Sequence, residues 1–117
     1  MKLFTQKQLQ QLQTNLKRKD GIAYVKLFNP SGGGTWYISE IRKTPQYTEA
    51  FGVADLGYGT PETGYFSIDE ITKLSFPPFM LGIERDKWFD PMPLTDILHR
   101  LKNCLLYTSD AADDGYR

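Results

Sequence analysis

At 117 residues, with 40% hydrophobic and 24% charged side chains, the chain can bury one modest core without disulfide or metal support and reads as a single domain. Its 14 basic and 14 acidic residues cancel, so bulk charge supplies no attraction to nucleic acid or anionic membrane, although a local basic patch stays open. One cysteine, Cys104, and one histidine, His99, exclude an intramolecular disulfide, a cysteine-clustered zinc site and a two-histidine metal motif.

No apolar run is long enough to cross a bilayer, and the N-terminal residues turn polar too early for a signal peptide. A cytoplasmic protein with no membrane partner is therefore expected. The first helix opens at Thr5, which with Gln8 has the pattern of a capping box, flanked by Phe4 and Leu9 as a hydrophobic staple. Leu9, Leu12 and Leu16 form its apolar stripe. Lys17, Arg18 and Lys19 suit the helix C-terminus, and Gly21 is the expected left-handed cap.

A hairpin follows, built from Ile22 to Phe28, a turn at Asn29-Pro30-Ser31-Gly32-Gly33-Gly34, and Thr35 to Glu40. Both faces of the first strand are largely apolar, which predicts a central strand covered on both sides. Residues Arg42 to Glu49 read as a loop around Pro45, Ala50 to Leu56 as a third strand, and Gly57 to Gly64 as a glycine-rich loop. Ser67 and Glu70 then cap a second helix with Ile68, Ile71 and Leu74 on its apolar face. After Pro77-Pro78, Phe79 to Asp86 is the expected last strand, with Trp88 and Phe89 as an aromatic cover and Asp90 to Pro93 as a turn. The closing helix begins near Thr95 and buries Leu94, Ile97, Leu98 and Leu101.

Sequential strands with short connections predict an α+β fold, an antiparallel meander of about four strands with three helices packed on it, over residues 1–103. Residues 104–117 are expected to be a non-native tail, because Cys104 to Asp113 is similar to the in-frame translation of a transposase-type sequencing adapter.

The loop Ser31-Gly32-Gly33-Gly34-Thr35 leads into a strand and lacks a following Gly-Lys-Ser/Thr, so it is a hairpin connection and neither a phosphate-binding loop nor a dinucleotide fingerprint. No catalytic or cofactor motif stands out, and no cofactor is expected. The weak catalytic candidates are Asp55, Glu84 and Asp86, which would hold a magnesium ion or form an acid/base pair if their strand ends met, with Glu62 as a neighbour. Asp55 has a second reading, as a strand-end carboxylate bonded to loop amides. Lys17, Arg18, Lys19, Lys26, Arg42 and Lys43, with nearby tyrosines, are the residues a nucleic-acid-binding surface would use. His99 has no serine, cysteine or aspartate spaced to make a triad.

Three segments together carry a family resemblance: Val25-Lys26-Leu27-Phe28-Asn29-Pro30-Ser31-Gly32-Gly33-Gly34-Thr35-Trp36-Tyr37, then Phe51 to Gly59 with Gly64-Tyr65-Phe66-Ser67, then Leu81-Gly82-Ile83-Glu84-Arg85-Asp86. They resemble domain-of-unknown-function family 2958, a small bacterial and phage domain, in the right order and over nearly all of residues 1 to 103. The resemblance implies an accessory role on plasmids, phages and integrative elements and brings no catalytic residue with it. The expected function is therefore a non-enzymatic protein-interaction module. Its binding surface would be Asn29, Gly33, Thr35, Trp36, Tyr58, Glu62, Tyr65 and Arg85, on the two glycine-rich loops and the strands beside them. A nucleic-acid-binding protein and a carboxylate- or metal-dependent hydrolase or nuclease are the alternatives.

Overall fold

The computed structural model describes residues 3–57, 60–74 and 82–110. Helix α1 spans Gln6–Arg18, and its capping box forms as the residue pattern requires. The Thr5 hydroxyl accepts the Gln8 amide at 3.0 Å, and the Gln8 side chain accepts the Thr5 amide at 3.0 Å. The helix closes earlier than expected. Lys19, not Gly21, is the left-handed C-cap, at φ 49°, with its amide on the Asn15 carbonyl at 2.7 Å. A lysine tolerates this conformation because its neighbours hold it. Its ammonium meets the Glu40 carboxylate at 3.3 Å, and the next amide, of Asp20, is accepted by the Asn15 side chain.

The expected first strand is split in two. Strand β1, Ile22–Ala23, pairs with β7, Met92–Pro93, where a turn was expected. Strand β2, Val25–Phe28, enters the main sheet beside β3, Thr35–Lys43. The sheet continues through β4, Thr48–Asp55, to β5, Glu62–Ser67. On the far side of β2 the two residues of β6, Glu84–Arg85, complete the order β5-β4-β3-β2-β6, antiparallel throughout. The fold is thus α+β, with five strands in the main sheet and three helices among the described residues.

Several boundaries differ from expectation for physical reasons. Arg42 and Lys43 extend β3, and Thr48 and Glu49 begin β4, so the Pro45 loop is short and is closed by Thr44, whose amide bonds the Tyr47 carbonyl. Strand β5 takes in Glu62, Thr63 and Gly64, which were expected in the glycine-rich loop, and runs on to Ser67, the cap of the second helix. It lies at the sheet edge with none of its residues fully buried, and so needs none of the apolar alternation that marks a buried strand. Helix α2, Ile68–Lys73, ends before Leu74, which is 39% exposed and outside the apolar stripe. Of the expected strand Phe79 to Asp86, only Glu84 and Arg85 are in β6, and Phe79, Met80 and Leu81 lie outside the described residues. Helix α3 runs Leu94–Asp110, across Asn103.

The helices sandwich the sheet. On one face Leu12 of α1 and Ile68 and Ile71 of α2 pack on Val25, Leu27, Trp36, Ile38, Ile41 and Ala50. On the other, Leu94 and Ile97 of α3 pack on Ala23 and Val53, flanked by Tyr37, Phe51 and Phe89. Phe89 supplies the aromatic cover, 5.9 Å from the Tyr37 ring, whereas Trp88 is 90% exposed and covers nothing. Strand β2 is fully covered only on the α1 side, since Lys26 and Phe28 are half-buried.

A β-bulge lets one strand serve this core along its length. The register shifts between Ile38 and Glu40, leaving Ser39 without a partner on β4. Ile38 and Ile41, an odd spacing apart, therefore both reach the α1-side core, where a regular strand would put them on opposite faces.

Candidate functional site

All loops that join β2 to β3 and β4 to β5 lie at one end of the sheet, because the strands form an antiparallel meander. The β2–β3 turn is built by Asn29. Its Nδ2 donates to the Gly33 carbonyl at 3.0 Å, its Oδ1 accepts the Ser31 amide at 2.8 Å, and its backbone amide donates to the Gly34 carbonyl at 2.9 Å. Gly34 sits at φ 121°, a conformation that favours glycine, and a Cβ there would meet the Trp36 ring at 3.3 Å and Asn29 at 3.6 Å. Asn29 and Trp36 are thus buried and occupied in shaping the turn and core, and offer no contact surface.

The β4–β5 loop lies directly against this turn. A Cβ placed on Gly33 would stand 3.4 Å from the Leu56 carbonyl oxygen and 3.5 Å from the Gly57 Cα, so the backbones touch. The Asp55 carboxylate accepts the Gly57 amide at 3.1 Å and holds the start of the loop in place. Leu56 is left 47% exposed. The contact joins Gly33 to Leu56 and Gly57, and Thr35 and the exposed Glu62 lie on the adjoining strand ends, on opposite faces of the sheet. Tyr58 lies outside the described residues. Tyr65 stands farther along β5, its ring 5.0 Å from that of Phe51, and Arg85 donates to the Leu3 carbonyl at 2.8 Å on the α1 side.

The carboxylates are spread along the rim. Asp55 pairs with Thr35, Thr35 with Phe28, and Phe28 with Glu84, so Asp55 and Glu84 share one row but stand three strand spacings apart. At about 4.8 Å per spacing they are separated by about 14 Å, far beyond the coordination sphere of one metal ion. Asp86 is engaged elsewhere, 3.7 Å from Lys26 and accepting the Trp88 amide at 2.9 Å. Among the described residues no group of three or more His, Cys, Asp or Glu side chains could hold a metal ion.

The basic residues do not converge either. Lys19 faces Glu40, and Lys26 faces Asp86 while lying 5.6 Å from the Tyr37 ring centre. Arg42 and Lys43 are exposed at the opposite end of β3, and Lys17 and Arg18 are exposed at the end of α1.

A second polar cluster, which the residue pattern did not announce, joins α1 to the bulge. Asn15 is fully buried, and its Nδ2 donates to the Ser39 carbonyl at 2.8 Å and to the Ser39 hydroxyl at 3.0 Å. Nearby, the Tyr24 hydroxyl donates a short hydrogen bond to Asp20, which also accepts the Ile22 amide at 2.9 Å. Burial pushes the Asp20 carboxyl up, but the Tyr24 and Ile22 hydrogen bonds, with smaller help from Asn15 and Arg18, outweigh it and hold the group below its ordinary 3.8. The Asp20 hydrogen bond, burial and the Asp20 charge together raise the Tyr24 phenol above its ordinary 10.0. Every group in this cluster has an internal partner, so its chemistry is that of a structural joint. The one sequence signal for it was a lone asparagine three residues after Leu12, inside the apolar stripe.

Fold and surface together define a small α+β protein, a sheet clamped between helices with a loop-built end. The chain belongs to the family described as Protein of unknown function (DUF2958), which its residues 3–102 match. A comparison with curated proteins and with solved structures finds no match. No helix among the described residues is long and apolar enough to cross a membrane.

Proposed function

We propose that the protein is a non-enzymatic accessory factor of mobile genetic elements that binds a protein partner through the turn end of its sheet. The mobile-element setting rests on what the resemblance to this family implies, since the description of the family itself, Protein of unknown function, names no role. The observation that carries the binding surface is the backbone contact of Gly33 with Leu56 and Gly57, which fuses two loops held by rigid strands. An exposed leucine lies within it, and Asp55, Glu62 and Glu84 fringe it. This combination fits a partner segment that presents an apolar anchor among basic residues. The same acidic fringe disfavours a nucleic-acid phosphate backbone.

The test is affinity capture from a host carrying the element, comparing the wild type with a Leu56→Lys, Glu62→Lys double variant. The expected result is a defined protein retained by the wild type and lost by the variant, with circular dichroism unchanged. Equal capture by both forms refutes the site. Fluorescence anisotropy that shows salt-sensitive binding of labelled DNA or RNA would transfer the function to nucleic acid.

A further inference from the structure

The two edges of the main sheet differ sharply. Edge strand β6 is two residues long, while β5 presents six residues, Glu62–Ser67, which among the described residues pair on one side only. Folded proteins guard long edges with lysine, proline, bulges or a covering element, because unpaired amides and carbonyls recruit other strands. Strand β5 contains neither lysine nor proline, its pairing with β4 has no bulge, and Tyr65 at its centre is 61% exposed.

We infer that β5 pairs antiparallel with β5 of a second copy, joining two five-stranded sheets into one across a two-fold axis. This goes beyond the partner surface at the turn end and uses a different part of the molecule. An isologous pair must keep side chains of one face opposite side chains of the same face, so the axis passes through a residue and not between two. Thr63, Tyr65 and Ser67 share the face of Phe51 and Val53, and Glu62, Gly64 and Phe66 share the other.

Two registers use most of the strand. Centred on Gly64, glycine would face glycine and Glu62 would face the Phe66 ring. Centred on Tyr65, the tyrosine faces its own counterpart, Thr63 faces Ser67, and Gly64 faces Phe66. The second register is favoured. It matches aromatic with aromatic and hydroxyl with hydroxyl, covers the bare glycine with a ring, and sets no charge opposite a like charge. The formally neutral chain adds no long-range repulsion between copies. Five residue pairs make an interface below the ~1,000 Å² of a permanent complex, so the dimer is reversible.

The test is sedimentation equilibrium of the full chain from about 10 μM to about 1 mM, together with cysteine cross-linking in a Cys104→Ser background. The mass rises from one chain to two with concentration, and Tyr65→Lys, which places like charges on the axis, holds it at one chain while circular dichroism stays unchanged. Under mild oxidation Tyr65→Cys forms a disulfide-linked dimer and Thr63→Cys, offset from its counterpart by four residues, does not. A single-chain mass at every concentration overturns the inference, as does an unchanged dimer of Tyr65→Lys or equal cross-linking at both positions.

Discussion

Replacing Asn15 by leucine probes the joint between α1 and the bulged strand. The substitution keeps the branching of the side chain but puts two bulkier methyl groups in a fully buried site, so overpacking adds to the loss of hydrogen bonds. It strips the Ser39 carbonyl of the donor at 2.8 Å and the Ser39 hydroxyl of the donor at 3.0 Å, and it frees the Asp20 amide, whose acceptor lay at 3.3 Å. The Ser39 carbonyl matters most, since Ser39 has no partner on β4. Each buried group left without a partner costs about 1–3 kcal/mol. Leucine's better helix propensity returns a few tenths of a kcal/mol. The net loss is about 3 kcal/mol, a large share of the roughly 5–15 kcal/mol that holds a domain together. A domain of this size should melt about 12 °C lower. Urea unfolding followed by circular dichroism measures it, with Ser39→Ala completing a double-mutant cycle whose coupling should exceed about 0.5 kcal/mol. An Asn15→Leu protein within about 0.5 kcal/mol of wild type, or additive with Ser39→Ala, would refute the structural role assigned to this contact.

Three further variants have expected outcomes. Gly52→Ala places a Cβ 1.8 Å from the Tyr37 carbonyl oxygen and 2.9 Å from its carbon, both backbone atoms of the paired strand. The strands must part, at a cost above the usual 1–3 kcal/mol of overpacking, roughly 4 kcal/mol or more. Gly64→Ala meets nothing within 4 Å and should stay folded. Melting temperatures of the two variants separate these cases, and a wild-type melt for Gly52→Ala would contradict the strand packing. Tyr24→Phe tests the phenol–carboxylate pair through pH. Asp20 is held below 3.8, so its stabilisation is present above that pH and is lost as pH falls through the lowered value. Tyr24 is raised above 10.0, so its contribution is present below pH 10 and is lost as pH rises through the raised value. The variant should flatten both limbs of the stability–pH curve measured by urea titration, and unchanged limbs would dismiss the pair.

The local punctuation of this chain was legible because its causes are local. The Thr5 and Gln8 capping box, the Ser67 cap, the Asn29 turn and the apolar faces of α1 and α3 each depend on residues within a turn or two of one another. The antiparallel meander followed from short connections. What only the tertiary structure decided depends on partners distant in the chain. The bulge leaves the Ser39 carbonyl to Asn15, a residue 24 positions earlier in the chain. Lys19 closes α1 in place of Gly21, with its ammonium on Glu40, 21 residues further on. Strand β5 carries no buried alternation, and its pairing with β4 alone makes it a strand. The candidate surface divides the same way. Glycines at 33 and 57 marked two loops, but their contact, and the 14 Å or so that parts Asp55 from Glu84, are consequences of strand order and register, which no local pattern encodes.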